Sequence, residues 1–141
     1  MNEFEIKLDL LISSLNKKKD ALNYVLNITE NQHAILSDNF TQETGSMFNQ
    51  MNMAKQQYID EIISMDSVFQ GIFDGISDGF EENSQEHKEK VALMQDLIKE
   101  VMELDVKIRS EEQKNKAITD LTKKGKSPAM KSSKANLLKQ Y

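Results

Sequence analysis

The sequence predicts an all-α chain, an elongated antiparallel three-helix coiled-coil bundle followed by a short C-terminal helix. Three observations lead there. Apolar residues recur at helical spacing through three long segments. Only five Gly and one Pro interrupt 141 residues. Hydrophobic residues make up 38% and charged residues 29%, leaner than the about 45–50% apolar content of a compact globule. That balance suits a rod in which each helix buries one stripe and keeps the rest wet. Disorder is the competing reading of so polar a composition, and the periodicity of the apolar residues argues against it.

The first helix is expected over residues 4–39. Leu8, Leu15, Leu22 and Leu36 share one seven-residue lattice, with Thr29 in the gap. Leu11 and Val25 take the partner positions, and Ile12, Leu26, Ile28 and Ile35 widen the stripe. Lys17, Lys18 and Lys19 interrupt it; Lys18 takes a seam position, where its stem can lie along apolar surface with the amine in water. Residues 41–46 read as a loop. The second helix carries the cleanest stripe: Met47, Met51, Ala54, Tyr58, Ile62, Met65, Phe69, Ile72 and Ile76. Gly71, Gly75 and Gly79 then recur every four residues. Each costs a helix ~1 kcal/mol relative to Ala, so a break or fraying is expected within 70–83. Both a kinked continuation and a separate short helix remain open there.

The third helix is expected to start near Asn83 or Ser84, either of which can cap it. Met94, Val101 and Ile108 form one row and Leu97, Leu104 and Ile118 the next, with Glu111 and Asn115 interrupting both. The helix should fade around Thr122. Ser127-Pro128 is a further start signal, Ser as N-cap and Pro at the first helical position. A helix over 128–141 would be marginal alone and need a partner surface. The organisation expected is a bundle over 1–126 and a basic tail or short helix over 127–141. At 1.5 Å per residue the first helix alone is roughly 50 Å long.

The absence of cysteine excludes disulfides, thiolate metal sites and a cysteine nucleophile. No secretory signal or membrane-spanning run is visible, the longest apolar run being Val91-Ala92-Leu93-Met94; a cytoplasmic protein without membrane insertion is expected. Residues 113–141 hold eight Lys and one acid, whereas residues 1–112 hold ten Lys or Arg against 22 acids. Nucleic acid is not expected as a partner, because the tail has a single aromatic (Tyr141), no Arg, and an acidic body behind it.

Catalytic chemistry finds little footing. His33 and His87 lie on different helices without metal-ligand spacing and read as solvated or rim residues. Glu81-Glu82 and Glu111-Glu112 point about 100° apart on a helix and read as solvated faces. The glycines lack the Lys-Ser/Thr of a phosphate loop. No enzyme activity, cofactor or metal is expected. The eight Met residues allow two readings, ordinary core filling or an adaptable client groove.

From about Tyr58 onward the chain carries Ile59-Asp60-Glu61-Ile62-Ile63, a short stretch over 69–80, and Glu82-Asn83-x-x-Glu86-His87-Lys88-Glu89. Leu97-Ile98-Lys99-Glu100-Val101, Glu112-Gln113-Lys114-Asn115-Lys116 and Ser132-Ser133-Lys134-Ala135 before a terminal Tyr follow in order. These pieces, over a little more than half the chain, resemble the clostridial-type flagellar export chaperones of the FlgN/FliT kind. The three glycines depart from the charged helix expected there. The resemblance implies a cytosolic chaperone that holds hook–filament junction or filament-cap subunits by their C-terminal helical segments, then hands them to the export apparatus.

The expected function is therefore an export chaperone whose partners are a flagellar structural client and the export apparatus. Its expected client-binding residues are Met130, Ser133, Lys134, Leu137, Leu138 and Tyr141, with Asn115 at the end of the third helix. The alternative is a self-assembling structural coiled coil with no client, a homo-oligomer whose stripes are the seams.

Overall fold

The computed structural model describes residues 2–38 and 41–122. The described chain forms helices α1 (Glu3–Ser37), α2 (Gln42–Ile76), α3 (Phe80–Ser84) and α4 (Lys88–Thr122), with no strand among the described residues. The three long helices run up, down and up as a bundle. α1 is the central element: it packs closely on both α2 and α4, while α2 and α4 approach one another far less. The helix expected over 128–141 lies outside the described residues.

α1 starts where Asn2 accepts the Glu5 amide at 2.8 Å and buries Phe4, Leu8, Leu11, Leu15, Leu22 and Val25. The triple lysine does not break it. Lys18 bonds Asp66 of α2 and Lys19 bonds Glu100 of α4, each at 2.7 Å, so two of the three cations reach opposite neighbours.

Residues 42–46, expected in a loop, are the first turn of α2. Thr41 and Thr44 cap one another: the Thr44 amide donates to Thr41 Oγ1 at 3.2 Å and the Thr41 amide to Thr44 Oγ1 at 2.7 Å. Two orphan amides are thereby satisfied, which offsets the single Gly45. The inward face of α2 also differs from the expected stripe over its first half. Phe48, Asn52 and Lys55 are buried, whereas Met47 is exposed and Met51, Ala54 and Tyr58 are half-buried. The face lies one residue, about 100°, further round; it rejoins the expected line at Ile62, Phe69 and Ile76. Tyr58 instead flanks α1, stacked on Tyr24 at 5.0 Å.

α2 persists through Gly71 and Gly75 and stops at Ile76. Gly79 takes the left-handed conformation (φ 81°) that breaks the helix, and a separate short α3 follows. Phe80 packs against Phe4 and Phe73, at 5.7 and 6.1 Å between ring centroids. α4 begins at Lys88, later than expected. Asn83 and Ser84 do not cap it, because their side chains donate back to the Gly79 and Glu81 carbonyls, each at 2.9 Å. The His87 carbonyl accepts the first α4 bond instead, from Val91 at 3.0 Å.

The main core joins the α1 leucines to Ile76 and to Val91, Met94, Leu97, Val101 and Ile108 of α4. α2 adds half-buried Ile59, Ile62, Phe69, Ile72 and Phe73. A smaller cluster, Leu36 and Phe48 with Ile35 and Ile118 against it, sits at the far end.

Candidate functional site

Between the two apolar clusters lies a buried polar layer drawn from all three long helices. Lys55 of α2 is 2% exposed; its Nζ donates to Gln32 Oε1 of α1 at 2.8 Å and to Glu112 Oε1 of α4. Gln32 Nε2 donates to the Phe48 carbonyl at 3.5 Å. Thr29 Oγ1 donates to the Val25 carbonyl at 2.7 Å and lies 3.4 Å from Glu112 Oε1. Asn115 Nδ2 donates to the Thr29 carbonyl at 3.4 Å, and Asn115 Oδ1 lies 2.9 Å from His33 Nδ1. A buried lysine is tolerable here because a carboxylate and an amide oxygen meet it at once. Glu112, expected on a solvated face, is therefore an interior anion. His33 is the rim residue it was expected to be, half-buried at the layer's edge.

The second feature is a trench. Away from the polar layer, beside Phe69 and Val101, α2 and α4 both lie on α1 without closing on each other, and an apolar furrow runs between them there. Its floor is Leu15 and Lys18 of α1; its walls are Asp66 and Phe69 of α2 and Ile98, Val101 and Met102 of α4. The α4 wall continues outward as a row, Ile98, Met102 and Val106, spaced by one helical turn. Met102 and Val106 are each 64% exposed, and Ile63 of α2 is 62% exposed. Gln95, Lys99, Glu103 and Lys107 border the row. Such a surface, apolar along its length and fringed by charge, is shaped to take one more helix. At its centre is a thioether that adapts to varied partner shapes.

At the opposite end of α1, Lys90 Nζ bridges Glu5 and Asp9 at 2.8 and 2.9 Å. The Lys90 hydrogen bond holds the Glu5 carboxyl below its ordinary value, with desolvation opposing. The two carboxylates in turn raise Lys90. His87 stacks on Phe4 at 5.6 Å beside this cluster.

Of the residues expected to bind a client, Met130, Ser133, Lys134, Leu137, Leu138 and Tyr141 lie outside the described residues. Asn115 does not belong to an exposed surface. It is 2% exposed and its amide is engaged inside the polar layer, where it holds α4 to α1. The methionines divide: Met94 is core, 3% exposed, whereas Met47, Met53 and Met102 are exposed. The Ile98, Met102 and Val106 row was not singled out from the sequence. Its signal was there, since α4 carries a third apolar row beside the two that face the core.

Among the described residues no group of His, Cys, Asp and Glu is arranged to hold a metal ion, and no helix is long and apolar enough to cross a membrane. Comparison of the chain with family models, with curated proteins and with solved structures finds no match.

Proposed function

We propose that this protein is a cytoplasmic export chaperone that receives an amphipathic helix of a flagellar junction- or cap-type subunit in the trench between α2 and α4. One observation carries the reading: away from the polar layer α2 and α4 do not close on each other, which leaves Phe69, Ile98 and Met102 in an open furrow with Val106 exposed beyond it. A helix laid there would bury its own apolar stripe against these side chains, and aggregation-prone segments are the clients with most to gain from such cover. The resemblance of residues 59–135 to the FlgN/FliT-type chaperones supports the choice of client and the hand-over to the export apparatus.

The rival is self-assembly through the same face: an antiparallel pairing of two α4 rows centred on Met102 sets Lys99 against Asp105 of the other copy.

The test is a titration of fluorescent peptides from the C-terminal segments of junction and cap subunits encoded in the same genome. Saturable binding is expected, weakened at least about tenfold by Met102→Glu, a loss of about 1.4 kcal/mol, with unchanged helical circular dichroism. No binding by any such peptide, together with concentration-dependent self-association of the intact protein, would favour the structural coiled coil.

A further inference from the structure

The floor of the trench carries an ion pair among apolar side chains. Lys18 Nζ of α1 donates to Asp66 Oδ1 of α2 at 2.7 Å. Ser14, one turn earlier on α1, lines the same hollow, together with Leu15, Phe69 and Met102. The Lys18 and Asp66 side chains keep 23% and 52% exposure, so solvent reaches the pair from the open side. A lysine amine carries three donors and a carboxylate two acceptor oxygens, and each ion uses one of these on the other.

We propose that the trench selects a helix whose apolar stripe is interrupted by one amide side chain, Asn or Gln, seated over the Lys18–Asp66 pair, an inference that rests on the trench being the client site. A helix laid there strips solvent from both ions. An ion that loses water without gaining a partner is costly to bury, and a leucine at that point offers neither ion a partner. A carboxylate would meet Lys18 but face Asp66 with a like charge. An amine would meet Asp66 but repel Lys18. An amide serves both without net charge: its carbonyl oxygen accepts from Lys18 Nζ, and its NH2 donates to the Asp66 carboxylate. The pair is thus a specificity element, which favours one interrupted stripe and penalises continuous ones. It also sets the register of the bound helix, since sliding by a turn takes the amide off the pair.

Designed fluorescent amphipathic peptides test this. One carries a stripe of leucines only, and in a series Gln replaces each stripe leucine in turn. All are titrated onto the full chain and onto variants whose helical circular dichroism matches it. At one Gln position binding is expected to be about tenfold tighter than for the all-leucine peptide, and weaker at neighbouring positions. Lys18→Met with Asp66→Leu should reverse the order, making the all-leucine peptide the tightest. Asp66→Asn leaves Lys18 a single cation and should move the preference at that position from Gln to Glu. Binding that Met102→Glu weakens, but that is as tight or tighter for the all-leucine peptide on the parent protein, would overturn this proposal alone. So would a Gln preference that survives in the Lys18→Met, Asp66→Leu protein. Binding of no peptide, or binding indifferent to Met102→Glu, would overturn the trench as client site and the proposal with it. Self-association of the chain that no peptide displaces would do the same.

Discussion

Replacing Glu112 by alanine removes the carboxylate that meets the Lys55 amine, which is 2% exposed. Removing one partner of a buried pair costs about 3–5 kcal/mol. The lower end of that range applies, because the Glu112 side chain retains 11% exposure and water can reach the vacated site. A loss of about 3 kcal/mol is a large share of the 5–15 kcal/mol that holds a typical domain folded. With a urea dependence of about 1.5 kcal/mol per molar, it moves the unfolding midpoint by about 2 M. The double change Lys55→Met with Glu112→Met removes both charges and keeps most of the volume. It should return the stability to within about 1 kcal/mol of the parent, or above it. Equilibrium urea unfolding followed by circular dichroism at 222 nm reads all three proteins. A single-variant loss below about 1 kcal/mol, the size of an exposed pair, would refute the assignment of Lys55 and Glu112 to the interior.

Other consequences follow from the packing and the charges. Leu11 is fully buried and Ile62 only half, so Leu11→Ala should cost about 3–5 kcal/mol and Ile62→Ala about half as much; equal losses would mean that α2 packs more tightly than described. Gly71 has open space where a Cβ would stand, whereas Gly79 has φ 81°. Gly71→Ala should therefore raise stability by about 0.5–1 kcal/mol and Gly79→Ala lower it by about 1–2 kcal/mol, compared by thermal melting. The Lys90 hydrogen bond depresses Glu5, so its stabilisation is fully present above the ordinary 4.5 and is lost as pH falls through the lowered folded value. Lys90 is raised above 10.5, so its share is present below that and lost as pH rises through the raised value. Carboxyl-carbon NMR titration should show Glu5 moving up toward its ordinary value in Lys90→Met. Deleting residues 128–141 should leave the melting temperature within a few degrees, because the buried apolar residues of the main core run from Phe4 to Ile108.

The parts of the fold that were legible in the sequence are those where long apolar side chains mark the face. Leu8, Leu15 and Leu22 define the inward line of α1 unambiguously, as Met94, Val101 and Ile108 do for α4. The first half of α2 was misread because Met47, Met51 and Tyr58 outrank Asn52 and Lys55 on any hydrophobic count. A lysine becomes a core residue only through a carboxylate 57 positions away, and no local pattern announces that partner. Glu112 was misjudged for the same reason, seen from the other side. The start of α4 was misplaced because Asn83 and Ser84 can serve either neighbouring helix, and α3 claims both. The trench depends on how far α2 stands from α4, a property of packing angles rather than of either helix alone. Even so, an extra row on α4 hinted at a surface to spare.

The most direct test of the trench as the client site uses the methionine methyls as reporters in a carbon-13 NMR titration with a junction- or cap-subunit helix. Met102 lines the trench, Met94 lies in the core, and Met47 and Met53 are exposed near the start of α2. Saturating client is expected to shift the Met102 resonance strongly and to leave Met47 and Met53 in place. Shifts at Met47 and Met53 with Met102 unmoved would contradict it.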